Sequence, residues 1–176
     1  MLLRLLTTAS LLILVIALNT NTQLFDPDFY LPDGEVLSES VLQEAVLVQR
    51  VIDGDTIKLE NGQTVRYVGV NTPETKDPRK GIECFGREAS EVNRRLVEGR
   101  RVRLEKDISE SDSFGRLLRY VYVDIEGEEM MVNNYLVEKG YAVVDTRPPD
   151  VKYSEIFRQA EESAMFSNLG LWSACN

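Results

Sequence analysis

Residues 45–51 form a mostly apolar, Val-rich run that reads as a strand. Asp53-Gly54-Asp55 turns it into a second run at 56–60. Asn61-Gly62 is a two-residue hairpin signal, and a third strand follows at 64–70. Residues 71–81 carry Pro73, Pro78 and Gly81 and read as a loop. Helical spacing returns at 84–98, where Phe85, Ala89, Val92 and Leu96 share one stripe and Gly99 supplies a stop. Val102 and Leu104 alternate with charged neighbours and mark a fourth strand. A polar loop at 109–115 leads to a fifth at 117–125, rich in β-branched and aromatic residues. A short helix is expected over 132–139. A last one is expected over 153–168, with Tyr153, Ile156, Phe157, Ala160 and Ala164 as its apolar face. Five short strands, one inserted helix and terminal helices suggest an α+β domain built on a small β-barrel. Such OB-type barrels bind polyanions across one strand face and its loops.

The ends of the chain read differently. After Arg4, an apolar run from 5 to 18 marks residues 1–18 as a signal peptide or a short signal-anchor. The run is short for a membrane span of about 20 residues, so both readings stay open. Either implies export, secreted or anchored facing the outside, with a membrane tether in the second case. Residues 19–44 hold six carboxylates, no Lys or Arg, and Pro27 and Pro32, and read as an acidic linker. The domain is expected at 45–176.

Charge and composition change the picture in two ways. The net charge of −9 argues against a nucleic-acid partner, but much of it lies in that linker. Downstream, Arg79, Lys80, Arg87, Arg94, Arg95, Arg100, Arg101, Arg103 and Lys106 bunch. That cluster either faces a polyanion or is a solvated helix face interleaved with glutamates. The chain also has no histidine. Imidazole acid–base chemistry and His-ligated zinc are excluded, so chemistry here runs on carboxylates, arginines and a hard cation. Of the two cysteines, Cys84 and Cys175, an exported chain would make one disulfide; two free thiols are the alternative.

The candidate chemistry sits in two hairpin segments. Asp55, with Asp53 two residues before it, offers carboxylate oxygens to a cation, or simply forms the turn. Asn71-Thr72-Pro73-Glu74 adds an amide oxygen, a backbone carbonyl and a carboxylate, a mixture calcium accepts. Arg66 lies in an otherwise largely apolar strand, so it either pairs with a carboxylate such as Glu74 or clamps a phosphate. Arg116 alone reads as an ordinary surface arginine. Together, Asp55, Asn71, Glu74, Arg66 and Arg116 supply what phosphodiester hydrolysis needs. These needs are a cation on a nonbridging oxygen, a carboxylate base, and donors for the charge developing in the transition state.

The segments Val51-Ile52-Asp53-Gly54-Asp55-Thr56, Arg66 through Thr75 and Gly86-Arg87-Glu88-Ala89-Ser90 resemble the staphylococcal nuclease (thermonuclease) family. So do Asp112-Ser113-Phe114-Gly115-Arg116, Val132-Asn133 and Gly170-Leu171-Trp172-Ser173, in the same order. The resemblance implies a five-stranded OB-type barrel with three α-helices. It also implies calcium-dependent endonucleolytic cleavage of DNA and RNA that leaves 3′-phosphate ends. By position it makes Asp55 and the Thr72 carbonyl calcium ligands, with Asn71 where the best-known member has a second ligating aspartate. It makes Glu74 the residue that positions or deprotonates the attacking water, and Arg66 and Arg116 the groups that hold the phosphate. A monomer is expected. A non-catalytic nucleic-acid- or peptide-binding module on the same barrel is the alternative.

Overall fold

The computed structural model describes residues 45–75 and 81–175. The expected signal or anchor segment, 1–18, and the acidic linker, 19–44, lie outside the described residues. In chain order the elements begin with β1 (Val46–Asp53), β2 (Thr56–Leu59), β3 (Thr64–Tyr67) and β4 (Gly69–Asn71). Then come α1 (Gly86–Val97), β5 (Arg101–Glu105), β6 (Leu117–Ile125) and β7 (Glu128–Met131). The last four are α2 (Val132–Glu138), β8 (Val143–Asp145), α3 (Ser154–Phe166) and α4 (Leu171–Ala174).

Five strands close a barrel in the order β3-β2-β1-β5-β6. The closing pair is parallel: Val65 faces Leu117 and Tyr67 faces Arg119. β1 serves two neighbours, pairing with β5 at Val46 and Leu47 and with β2 from Val48 to Asp53. Its register shifts after Val48 and after Val51, and such bulges bend a strand enough to join two halves of a barrel. Val48, Ile57, Leu59, Val65, Val102 and Val121 are fully or almost fully buried. In β6 the four residues from Tyr120 to Val123 are all buried, because helices cover its outer face. That accounts for its unbroken apolar run.

The structure differs from the expected elements at informative places. The single strand expected at 64–70 is broken at Val68, just before Gly69, whose φ is 78°. A Cβ built there would lie 2.6 Å from Phe157 Cε2, so only glycine lets the chain turn this tightly against α3. Beyond the break, β4 leaves the barrel and pairs with β8, which the sequence pattern missed. β7 was missed too. It pairs with β6 through a two-residue turn at Glu126 and Gly127, both with positive φ, as this hairpin type requires. The three expected helices are present within a few residues, and the one-turn α4 is added. Ile156 does not join the apolar face of α3: it is 49 % exposed, while Phe157 and Ala164 are buried. The inward stripe runs through Tyr153, Phe157, Ala160 and Ala164, at 3.6-residue spacing, and Ile156 lies about 100° away from Phe157 around the helix.

Cys84 and Cys175 form a disulfide, with S–S 2.07 Å and Cα–Cα 5.8 Å. It ties the segment entering α1 to the end of α4.

Candidate active site

The turn between β1 and β2 carries Asp55 inward. A Cβ on Gly54 would sit 2.5 Å from Thr72 Oγ1, so the glycine is what allows the two loops to touch. Asp55 is 6 % exposed. Its Oδ2 accepts hydrogen bonds from the Thr72 backbone N–H at 2.9 Å and the Thr72 hydroxyl at 3.1 Å. Its Oδ1 accepts from the Thr56 hydroxyl at 3.0 Å. Arg66 Nη2 lies 3.3 Å from Asp55 Oδ2. The buried carboxylate is therefore paired and bonded, as its burial requires. A carboxylate offers about four lone-pair sites, so Oδ1 keeps acceptor capacity.

Arg66 pairs with Asp55, the outcome the sequence left open between Glu74 and a phosphate. It also clamps the corner between β3 and β4. Nη1 donates to the carbonyls of Tyr67 and Val70, each at 2.7 Å, and Nη2 donates to Asn71 Oδ1 at 3.0 Å. The guanidinium thus orients the amide that the sequence reading named as a ligand.

Glu74 stands just beyond, on the segment that leaves β4. Its backbone N–H donates to Glu83 Oε2 at 2.9 Å, and its carbonyl accepts from Glu83 N–H at 2.9 Å. The Glu74 carboxylate accepts from Thr75 N–H at 2.8 Å and neighbours Asp53. Burial pushes the Asp53 carboxyl up to about 6, and the nearby Glu74 carboxylate adds to the rise. Hydrogen bonds from the Thr75 hydroxyl and Gly54 N–H, both 2.8 Å, offset part of it.

Arg116 arrives from the loop before β6. Asp112 builds that loop: its Oδ1 accepts from the backbone N–H of Phe114 and Arg116, at 2.9 and 3.0 Å. Its Oδ2 accepts from Arg116 Nε at 2.7 Å. Burial alone would raise the Asp112 carboxyl, but these bonds outweigh it and hold it below the usual range. Phe114 projects into solvent, 82 % exposed, with the Arg116 guanidinium 5.5 Å from its ring centre.

One cleft of about 440 Å³ gathers Asp55, Arg66, Asn71, Thr72, Glu74 and Arg116. Cys84 and Cys175 lie elsewhere. Asp53, Asp112, Asp145 and Asp150 also line the cleft, as does Arg147. The cleft thus sets six carboxylates against three guanidinium groups, a surplus that repels a phosphate unless a cation enters. Among the described residues no cluster of three or more Asp, Glu, His or Cys side chains forms a ready metal cage. A cation here would rely on mixed side-chain and backbone oxygens, a donor set that suits calcium and not zinc.

Asp112 escaped the sequence reading as an anchor for Arg116. Its signal was its place four residues before the arginine, in a loop closed by Gly115. Two buried amides were missed as well. Asn93 on α1 accepts from the Tyr67 hydroxyl at 2.9 Å and donates to the Asp53 carbonyl at 3.2 Å. Asn133 on α2 accepts from Val121 N–H at 2.9 Å and donates to the Val68 carbonyl at 2.9 Å. An amide on the buried side of an otherwise apolar helix stripe was the available clue.

Residues 64–174 match the family described as staphylococcal nuclease homologue. The chain is 40 % identical over 138 residues to a thermonuclease of Staphylococcus intermedius, covering 77 % of this chain and 80 % of that protein. It is 38 % identical over 134 residues to a thermonuclease of Staphylococcus hyicus, covering 74 % and 77 %. It is 42 % identical over 133 residues to Endonuclease YncB of Bacillus subtilis (strain 168), covering 73 % of this chain and 61 % of that one. The closed barrel, the cleft and these matches agree: the chain belongs to the staphylococcal nuclease homologue family.

Proposed function

We propose that this protein is an exported, calcium-dependent endonuclease that hydrolyses phosphodiester bonds of DNA and RNA and leaves 3′-phosphate ends. The observation that carries the reading is the convergence of Asp55, Asn71, Thr72, Glu74, Arg66 and Arg116 on one cleft. The names of the relatives, thermonuclease and endonuclease, support the reaction class. Asp55, the Asn71 amide oxygen and the Thr72 carbonyl would hold the cation. When bound, calcium supplies positive charge against a nonbridging phosphate oxygen. The protein's own groups do the rest. Glu74 takes the proton of the attacking water as its oxygen bonds to phosphorus. The bond from phosphorus to the 5′ oxygen breaks, the 5′ oxygen takes a proton from solvent water and leaves as the hydroxyl, and the phosphate stays on the 3′ side. Arg66 and Arg116 donate to the phosphate oxygens as charge builds. To do so each exchanges part of its present bonding, Arg66 from Asn71 and Arg116 from Asp112.

The test is cleavage of a fluorophore-quencher single-stranded DNA with calcium titrated against EGTA. Cleavage should need calcium and fall by about 10²–10⁴-fold in Glu74→Gln, the usual worth of a positioned general base. A Glu74→Gln variant as active as the parent would overturn the role of Glu74. A folded protein inert with calcium, manganese and magnesium alike would favour the non-catalytic binding module. Asn71 and the carboxylate surplus are the features that favour that second reading.

A further inference from the structure

A second hollow, about 370 Å³, lies along α1, and none of its lining residues belongs to the cleft. Phe85, Val92 and Tyr141 line it, with Arg87 and Arg95 set beside Glu88 and Glu91. The rings of Phe85 and Tyr141 stack, with centroids 5.5 Å apart and planes 21° from parallel. Both rings are half-exposed. Phe85 holds φ at 67°, a left-handed conformation that a bulky residue rarely adopts. Its neighbours hold it there: Cys84 is tied to Cys175, and Gly86 N–H donates to the Glu83 carbonyl at 3.1 Å. Strain of this kind gathers where a side chain is being aimed at something.

The charges point the same way. Seven of the twelve described arginines sit against carboxylates, Arg66, Arg103, Arg116 and Arg147 among them. Arg94, one residue from Arg95, takes both Glu91 and Glu98. Five described arginines, Arg50, Arg87, Arg95, Arg100 and Arg101, have no ion-pair partner among the described residues, and two of them line the hollow, Arg87 and Arg95. They are two helical turns apart, about 12 Å along the axis. Glu88 is the one carboxylate of the hollow not already matched to an arginine. The segment leading into the hollow is bonded to the margin of the cleft. Glu83, two residues before Phe85, exchanges two hydrogen bonds with the backbone of Glu74.

We propose that Phe85, Tyr141, Arg87 and Arg95 form an auxiliary subsite for single-stranded nucleic acid, with a base stacked on the ring pair and phosphates on the two arginines. The proposal rests on the nuclease reading and adds to it a second contact on the bound strand, outside the cleft. Stacking on an aromatic pair requires a base free of its own duplex, and it tolerates any sequence.

Full-length protein and the double variant Arg87→Gln/Arg95→Gln are compared on two substrates. One is a fluorogenic phosphodiester of dinucleotide size, and the other is a quenched single strand of about 12 nucleotides. The double variant should raise KM on the long strand about tenfold, with kcat unchanged and the short substrate unaffected. The slope of log affinity against log salt should become shallower by about 1.4, two single-strand phosphate contacts at about 0.7 each. Phe85→Leu should raise the long-strand KM by a similar factor and leave the salt slope alone. Unchanged KM and slope on the long strand overturn the subsite even if cleavage itself is robust. If the parent cleaves neither substrate, the nuclease reading fails, and anisotropy of the labelled strand with parent and double variant decides the subsite. Should Phe85→Leu not fold, the exposed arginine pair carries the test alone.

Discussion

Asn71 is the residue on which the strength of the cation site turns. Its Oδ1 accepts from Arg66 at 3.0 Å, beside a buried Asp55 that is already shared between Thr56, Thr72 and Arg66. A neutral amide contributes an oxygen but no charge, and oxygen sites are tuned by how many ligands are charged. Asn71→Asp is therefore expected to lower the calcium concentration for half-maximal cleavage by about tenfold. Calcium titration of the cleavage rate measures it directly, and an unchanged midpoint would remove Asn71 from the ligand set. The sequence showed Asn71 and Asp55 as neighbours of a turn and a strand end. It did not show that Arg66 would bond both, because that bond depends on how β3 and β4 bend apart.

The bend between β3 and β4 is the element that places half the site. Gly69 turns the chain, Asn133 bonds the carbonyl beside it, and β8 takes up β4 on the far side. Gly69→Ala would meet both a positive φ and the Phe157 ring, so it should destabilise the fold by about 2–4 kcal/mol. Urea unfolding should show a lower midpoint at an unchanged slope. A second element-level link joins β5 to the segment entering α3. Glu105 accepts from Lys152 Nζ, the Tyr122 hydroxyl and the Tyr153 hydroxyl at 2.5, 2.9 and 2.9 Å. Burial would raise its pKa, but these three donors outweigh that and leave it below the ordinary glutamate value. A carboxyl lowered on folding adds stability that is present above its unfolded pKa of 4.5 and lost as pH falls through the folded value. Glu105→Gln should thus lower Tm by a few degrees, about 2–6 °C, at pH 7 and by less in acid, as pH falls through the folded value. Thermal melts at pH 7 and in acid test it, and an equal loss at both would assign the effect to packing.

Across the whole molecule, the disulfide is the longest covalent constraint, joining residues 91 apart in sequence. It encloses α1, β5 to β8 and the later helices, and it holds the segment that carries Phe85. Closing a loop of this length restricts the unfolded chain, a gain of up to about 4–5 kcal/mol by the chain-entropy estimate. Reduction with dithiothreitol should move the denaturant midpoint down accordingly. Thiol titration of unfolded, non-reduced protein should find no free thiol. Two titratable thiols would show that the bond does not form.

Short stretches of residues set the local pieces of this protein. The Asn61-Gly62 hairpin, the helical stripe of α1, the run of β6 and the all-oxygen chemistry of a chain without histidine all follow from residue type and short spacing. Those signals act over a few residues, where backbone preference and period decide. The tertiary structure alone decided the parallel pairing of β3 with β6, the departure of β4 to meet β8, and the outward turn of Ile156. It also brought Arg116 to Asp55 and Arg66, about fifty residues away in sequence, and placed Asp112 behind it. Contacts that distant are selected by which closed arrangement buries the apolar faces of all five barrel strands at once. No local pattern carries that condition, because it is a property of the packed whole.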